Sequence, residues 1–292
     1  MFEKAIFGDN QFLGVNHASQ DKALKLYNKF EDTDSIISLL GAAYDSGVRD
    51  FMFTTHQRYD LVFNEIINSN LFPELSFSPC VPYAHKYWSI LSEHGFYGLV
   101  KSTFINSNKL CLLSSLSRLL YGNIEGLIKM LLDLETLACK GLKIKGIFIQ
   151  NLAFDLIISL ELFSLIEKFH NVVDSKFNAI PGYITMNHIN AVDALCSKIG
   201  FIKPWICANY NMVGFRMNPS KNLCEKSFRS GKSYNIAMSV LASGSAGPEE
   251  ALNFAINGLH SGHVNSILFG SSSPVNISSN IQKIADKPGI DI

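Results

Sequence analysis

The sequence has no excess of charge of either sign: of its 292 residues, 25 are Lys or Arg and 25 are Asp or Glu. Surfaces that bind nucleic acid or anionic membranes need an excess of positive charge, so we expect neither partner. Charged residues make up only 17% of the chain and hydrophobic ones 47%, enough for a large core. The expected partner is a small-molecule substrate, and a homo-oligomer is left open.

Cysteine motifs and long apolar runs are also missing. The six cysteines are scattered, with no CxxC pair and no Cys/His spacing typical of zinc sites, so we predict free thiols. The N-terminus has neither the charged region nor the apolar core of a signal peptide. No apolar run reaches the roughly 18 residues of a membrane span. These absences predict a cytoplasmic protein.

The two glycine-rich signatures of nucleotide-binding loops are absent. No GxGxxG occurs, and Ser230–Ser233 matches only the end of a Walker A motif, because Lys226 stands where that motif needs glycine. A doubly wound open sheet, the main alternative fold, would normally carry a glycine-rich loop after its first strand. The absence of such a loop favours a closed barrel.

Eight short apolar runs alternate with helical patterns along the chain. They show little alternation of polar and apolar residues, which is typical of parallel strands buried on both faces. We therefore predict a single (β/α)8 TIM barrel over residues 1–292. The less regular stretch 84–120 is interpreted as a helical insertion after strand 3, either a lid or an oligomer contact. The predicted strands are Ala5–Phe7, Arg49–Phe53, Leu75–Ser78, Ile144–Gln150, Ala179–Met186, Trp205–Ala208, Asn235–Leu241 and Ser266–Phe269.

The loops after strands 7 and 8 are rich in glycine and serine. Such residues expose backbone N–H groups, the N-termini of the following helices add positive partial charge, and these two loops are the usual phosphate site of (β/α)8 barrels. We predict that they bind a phosphorylated or nucleotide-linked polar metabolite. The predicted phosphate-binding residues are Ser243, Gly244, Ser245, Gly270, Ser271, Ser272 and Ser273.

The other strand ends predict the rest of the site, because the chemistry of these barrels lies at the C-terminal ends of the strands. These ends are rich in amides, which suits a polyhydroxylated or amide-bearing ligand. For any single asparagine, the alternative role is to cap the following helix. The predicted substrate-binding residues are Asp9, Asn10, Gln11, His17, Thr54, Asn151, Asn187, Asn209, Asn211 and Arg216.

Histidines at strand ends are candidates for acid–base catalysis near neutral pH, with structural hydrogen bonding as the alternative. A metal site built from them is not favoured, since no HxH pair or closely spaced carboxylate accompanies them. We predict proton-transfer chemistry of the lyase or isomerase type, with a histidine base, a tyrosine donor and orienting amides. The predicted catalytic residues are His56, Tyr59, His188 and Gln150.

Four pieces of the sequence carry a family resemblance: Gly47–Arg49 before strand 2, Tyr59 after it, Asn209–Asn211 after strand 6, and Phe269–Val275 after strand 8. In their order and positions they resemble the aldo-keto reductase superfamily. The resemblance implies a (β/α)8 barrel that binds NADPH at the loops after strands 7 and 8. It also implies a tyrosine proton donor aided by Asp, Lys and His.

The sequence departs from the catalytic set of that superfamily. Thr54 stands at the position of the Asp, Pro79 and Cys80 at that of the Lys, and Gln150 at that of the His. Without the Asp and Lys a phenol keeps its pKa near 10 and is a poor donor at neutral pH. Reduction of a carbonyl by NAD(P)H with a changed proton donor is thus the second hypothesis, with NADP as an open cofactor. A non-catalytic barrel that binds a ligand or partner is the third.

Overall fold

The computed structural model describes residues 1–15, 19–82 and 124–285. The predicted insertion 84–120 and His17 lie outside these residues. Eight parallel strands close into a barrel in chain order, with β1 paired to both β2 and β8, so the predicted (β/α)8 barrel is confirmed. The strands are β1 Ala5–Gly8, β2 Asp50–Thr54, β3 Ser76–Val81, β4 Gly146–Ile149, β5 Ile180–Thr185, β6 Trp205–Asn209, β7 Tyr234–Met238 and β8 Ser266–Phe269.

Helices surround this barrel. None in the described ranges is long and apolar enough to span a membrane. Short helical turns at Leu137–Cys139 and Ala242–Gly244 add to them, and α7 continues as a wider turn, Asp193–Lys198. The helices are α1 Gln20–Lys29, α2 Thr33–Asp45, α3 Tyr59–Asn68, α4 Ile124–Glu135, α5 Asn151–Ser159, α6 Phe163–Phe177, α7 His188–Val192, α8 Lys221–Phe228, α9 Pro248–His260 and α10 Pro274–Ala285.

The predicted end of strand 3 needs correction. Strand β3 does not stop before Pro79 but runs through it to Val81, because the residues on either side of the proline keep their register with β2. A proline costs one ladder hydrogen bond, and the fully buried strand tolerates that loss. Helix α2 is capped by Asp32, whose carboxylate accepts the N–H of Ser35 at 2.7 Å.

Side chains alternate between the barrel interior and the helical layer. One buried cluster contains Ile6, Met52, Phe148 and Ile236 from four strands, which fill the interior. The neighbouring strand residues pack instead against the helices in the larger outer core. Because the interior is filled with side chains, ligand chemistry is confined to the loops at the strand ends.

The N-terminal end of the barrel is closed by Phe2 and a buried ion pair. The Phe2 ring lies 4.9 Å from that of Trp205 and 5.6 Å from that of Phe148. Next to it, the Lys145 ammonium donates to both carboxylate oxygens of Asp50 at 2.8 Å, and the backbone N–H of Glu3 donates to Asp50 at 2.6 Å. These contacts make this end a structural floor.

Candidate active site at the barrel mouth

The centre of the candidate site is Asp9, which follows β1 directly. Its Oδ2 accepts the backbone N–H of Thr54 at 2.7 Å and the hydroxyl of Tyr59 at 3.3 Å, so the side chain lies over the end of β2. None of the ion pairs formed by the described residues includes this carboxylate. Burial raises the pKa of Asp9 from its ordinary value of 3.8 to about 6, and the two hydrogen bonds offset only part of that rise.

Tyr59 is held by aromatic packing at the start of α3. Its ring stacks on Phe63 at 5.2 Å and meets the edge of Phe53 at 5.5 Å, and only 1% of the residue is exposed. Burial and the negative charge of Asp9 raise the pKa of the phenol well above its usual range. The hydroxyl therefore stays protonated and donates to Asp9. Its predicted role as donor to a substrate stays a prediction, and the geometry favours a role in holding Asp9.

The three positions where the family catalytic set is replaced lie together beside Asp9. The side-chain amide of Gln150 lies 3.4 Å from the Thr54 hydroxyl, and Cys80 pairs with Thr54 in the register of β2 and β3. Burial, followed by the charge of Asp9, raises the pKa of the Cys80 thiol well above its usual range, so the thiol stays neutral. The patch thus contains one ionisable group that titrates near neutral pH, Asp9.

Two amide oxygens at the mouth have no hydrogen-bond partner among the described residues. Gln11 donates its NH₂ to the carbonyl of Gly8 at 2.7 Å, and Asn209 donates to the carbonyl of Arg216 at 2.9 Å. The Oε1 of Gln11 and the Oδ1 of Asn209 are nonetheless buried and unpaired. An unpaired buried acceptor costs free energy, so both atoms favour a bound group with N–H or O–H donors.

The loop after β8 begins with a glycine that packs closely against the side chain of Gln11. A Cβ atom at Gly270 would lie 2.4 Å from the Oε1 of Gln11. The Lys29 ammonium donates to the carbonyl of Ser272 at 2.8 Å in the same loop, and the first turn of α10 contains no acidic residue. This loop therefore combines a small residue, a helix N-terminus and a nearby cation, which together favour an anion.

The loop after β7 differs from that after β8. Ala242, Ser243 and Gly244 adopt φ values of 45°, 56° and 85°, three successive residues in the left-handed region, which is strained for Ala and Ser. Helix α9 then begins with Glu249 and Glu250 in its first turn. Their negative charges offset the positive partial charge at the start of this helix. Of the two predicted phosphate loops, the one after β8 is therefore more favourable for an anion.

The structure does not place His188 at the mouth. Its Nδ1 lies 2.8 Å from the Ser227 hydroxyl, its Nε2 lies 2.9 Å from the Oδ1 of Asn235, and its ring stacks on Phe228. Burial lowers the pKa of His188 to about 4, so the ring is neutral at physiological pH. Since Asn235 lies at the start of β7, this histidine belongs to the outer helical layer, and its predicted role as base has no geometric support.

Some of the other predicted residues form hydrogen bonds within their own loops, and others lie at the strand ends. His56 follows β2, and its Nδ1 accepts the N–H of Arg58 at 3.0 Å, which leaves its role as base a prediction. Asn187 caps α7, and Asn211 bonds both the N–H and the carbonyl of Phe215 within its own loop. The capping alternative therefore holds for Asn187, while Asn211 closes its own loop without capping a helix. Exposed Asn10, half-buried Asn151 and exposed Arg216 lie at the ends of β1, β4 and β6.

Sequence reasoning missed two features of this site. The contact between Asp9 and Tyr59 joins residues 50 positions apart and depends on the stagger of β1 against β2. Lys29 reaches the β8 loop from α1, 243 positions away. Asp9 itself was predicted from its position after the first strand, but as a substrate-binding residue. In the part of the chain described, no group of three His, Cys, Asp or Glu side chains could hold a metal ion.

No family model matches the sequence, and no curated protein matches it. Solved structures do. A Pseudomonas aeruginosa protein assigned to the aldo-keto reductases shares 11% identity at a TM-score of 0.59, with 97% of this chain and 90% of that chain covered. An aldo-keto reductase from Klebsiella pneumoniae, in complex with NADPH, shares 9% identity at a TM-score of 0.56, with 98% and 86% covered.

The barrel resembles that of the aldo-keto reductases. At these identities the likeness concerns the fold, and it confirms the resemblance drawn from the sequence at that level. Thr54, Cys80 and Gln150, which the sequence resemblance matched to the family catalytic set, lie in one patch beside Asp9.

Proposed function

We propose that the protein is an NAD(P)H-dependent oxidoreductase that reduces the carbonyl group of a small polar metabolite, with Asp9 as the proton donor. The observation that carries the proposal is the buried Asp9 carboxyl group, whose pKa of about 6 lies near the operating pH. A general acid is most effective when its pKa is close to that pH, and burial is the usual way to raise a carboxyl into this range.

We assign the role of proton donor to Asp9 and not to the phenol of Tyr59 because of the hydrogen bond between them. Tyr59 donates its hydroxyl to Asp9 and is packed among phenylalanines, so its proton is directed away from a ligand. A protonated Asp9 can donate from the carboxyl group, and its carboxylate form is then stabilised by the N–H of Thr54. The carboxylate that the sequence lacks at Thr54 is thus supplied by β1.

The residues at the mouth fit a nicotinamide cofactor, which supplies a hydride when bound. Its carboxamide carries N–H donors, and the unpaired oxygens of Gln11 and Asn209 are acceptors. Its phosphates require N–H groups and positive charge, which Gly270–Ser273 and Lys29 offer. The lyase or isomerase reaction has less support, because one of its two candidate bases, His188, is buried in the helical layer.

The test is a fluorescence titration with NADPH, followed by assays of NADPH oxidation against a panel of aldehydes, ketones and hydroxylated carbonyl compounds. We expect micromolar binding, and for Asp9→Asn we expect retained binding with a loss of about 10²-fold or more in turnover. Asp155→Asn is the matched control, since Asp155 also holds a strand end, accepting from Thr185 at 2.5 Å and from Met186 at 2.9 Å.

Two results would contradict the proposal. Absence of NADPH and NADH binding at millimolar concentration would remove the cofactor. Full turnover by Asp9→Asn would remove the assigned donor. Cofactor binding without oxidation by any compound of the panel would favour the third hypothesis, a barrel that binds a ligand without catalysis.

A further inference from the structure

A polar pocket lies at the end of the barrel opposite the mouth. Its volume is about 340 Å³, and it opens between the C-terminal ends of α8 and α9, beside the starts of β7 and β8. Its lining residues are Phe228, Arg229, Gly231, Ser233, Asn235, Ser261, Gly262 and His263. None of the catalytic or cofactor-binding residues discussed above contributes to this lining.

The charged wall of the pocket is basic. Arg229 and His263 are its two ionisable lining groups, and no acidic residue lines it. Burial lowers the pKa of His263, and the positive charge of Arg229 lowers it further, so the two groups lie near each other. Glu225, one turn earlier on α8, lies outside the lining, and its carboxylate pairs with Arg229 at 3.1 Å and with Lys221 at 3.7 Å.

The floor of the pocket is rigid. Asn235 is 1% exposed, and its NH₂ donates to the carbonyl of Phe228 at 3.1 Å and to that of His263 at 2.8 Å. Its Oδ1 accepts the Ser233 hydroxyl at 2.7 Å and lies 2.9 Å from the His188 ring. The side chain of Asn235 therefore fixes both walls, and Ser233 keeps its lone pairs at the pocket surface.

One wall is the segment Arg229–Ser233, which the sequence marked as an incomplete phosphate-loop motif. Gly231 adopts φ +69°, and a Cβ there would meet nothing within 4 Å, so this loop leaves open space in front of its backbone. Lys232 adds a second exposed cation to the same loop. The loop thus has the small and basic residues of an anion site without the parent motif.

We propose that this pocket binds a tetrahedral oxyanion, the phosphate group of inorganic phosphate or of a small phosphate ester, between Arg229 and His263. The guanidinium of Arg229 supplies charged donors, and the imidazole of His263 a further donor at Nδ1, because its Nε2 lies 2.9 Å from the Tyr210 hydroxyl. The hydroxyl groups of Ser233 and Ser261 already donate to the Oδ1 of Asn235 and to the carbonyl of Asn257, so they line the pocket as acceptors. The structural alternative is that Arg229 only offsets the negative partial charge of the helix ends that meet here. That alternative requires no ligand.

The experiment is calorimetric titration of the full chain with inorganic phosphate and with glycerol phosphate, while the imidazole signals of His263 are followed by NMR. We expect saturable binding, a shift of the His263 signals, and at least tenfold weaker binding in Arg229→Ala. Tighter binding of the ester would assign the site to a phosphorylated metabolite, and tighter binding of inorganic phosphate to the free ion. Either order supports the proposal.

Three variants separate this pocket from other sites. Lys226→Ala removes a cation of α8 outside the lining, and Lys29→Ala removes the cation at the β8 loop, so neither should change binding in the pocket. Ser261→Asp adds a negative charge at an exposed position and should abolish binding even if Arg229→Ala fails to fold. Unchanged binding in Ser261→Asp, equal losses in Lys226→Ala and Arg229→Ala, or a titration that does not saturate would overturn the proposal.

Discussion

Two buried aspartates occupy opposite ends of the same barrel and have opposite surroundings. Asp50 at the floor is bound by the Lys145 ammonium through both oxygens and by the N–H of Glu3. Asp9 at the mouth has one backbone N–H and one phenol as donors, and no cation among the described residues pairs with it.

The difference shows which carboxyl group is structural. A charge removed from water is stable only when it is paired and hydrogen-bonded, which is the condition met by Asp50. Asp9 instead retains a proton up to a pH of about 6, at a cost to stability whenever it ionises. A fold that tolerates this cost at the C-terminal end of its strands, and avoids it at the other end, is consistent with chemistry at Asp9.

The largest expected effect comes from breaking the pair at the floor. Lys145→Ala leaves Asp50 buried with no cation, and we expect a loss of about 3–5 kcal/mol in the free energy of unfolding, measured by urea denaturation at pH 7. The double variant Lys145→Met with Asp50→Leu removes both charges and should recover part of that loss. A change below about 1 kcal/mol in Lys145→Ala would contradict the structural role.

The next effect concerns His188, which lies in the outer helical layer and not at the mouth. Its pKa in the folded protein, about 4, lies below its ordinary value of 6.5, so the unfolded chain binds more protons between these values. Stability is therefore complete above pH 6.5 and falls by about 3 kcal/mol as the pH drops to 4. His188→Gln should lose this acid-dependent decline without a change in NADPH binding. An unaltered pH dependence of stability in the variant would argue against the lowered pKa of His188.

Asp9 should give the opposite slope. Its pKa in the folded protein, about 6, lies above 3.8, so the folded state binds more protons between these values. This contribution to stability is complete below pH 3.8 and declines by about 3 kcal/mol as the pH rises to 6. In Asp9→Asn the loss of stability between pH 3.8 and 6 should disappear. The loss of stability on acidification that His188 causes should then be steeper, because Asp9 no longer opposes it. Urea denaturation at several pH values between 4 and 7 measures both, and equal curves for the variant and the parent would refute the assignment.

The smallest effect is that of Tyr59→Phe, which removes one hydrogen bond to Asp9. We expect a loss of about 1 kcal/mol in stability. The pKa of Asp9 should rise, since the phenol lowers it, and the pH above which turnover falls should move upward. Turnover at the optimum should change far less than in Asp9→Asn. If the loss of turnover in Tyr59→Phe equals or exceeds that in Asp9→Asn, the tyrosine is the donor after all.

The fold could be predicted from the sequence because it depends on local patterns. Eight buried runs, each followed by a helix, leave few alternatives to a closed parallel barrel. The predicted end of strand 3, placed before Pro79, differs from the observed end by only a few residues. The polar strand ends followed from the same pattern, which is why Gln150 and Thr54 were expected at one face.

The contacts within the site could not be predicted, because they depend on three-dimensional direction. His188 follows a strand end, yet its side chain turns outward to Asn235, 47 positions away. Asn187 and Asn211 look alike in sequence to Asn209, but the first two complete their own loops and only the third keeps an unpaired oxygen. Periodicity states which residues end a strand, while the stagger of the barrel decides what each one meets.

The aromatic cluster of Phe2, Phe148 and Trp205 at the floor bears on how Asp9 exchanges its proton with water. With the described residues closing the floor, Asp9 exchanges its proton with bulk water by way of the mouth. A molecule seated over that opening would remove further water from the carboxyl group and so favour its protonated form. Ligand binding in this barrel should then be accompanied by proton uptake above pH 6, visible as a dependence of the calorimetric heat on the ionisation enthalpy of the buffer.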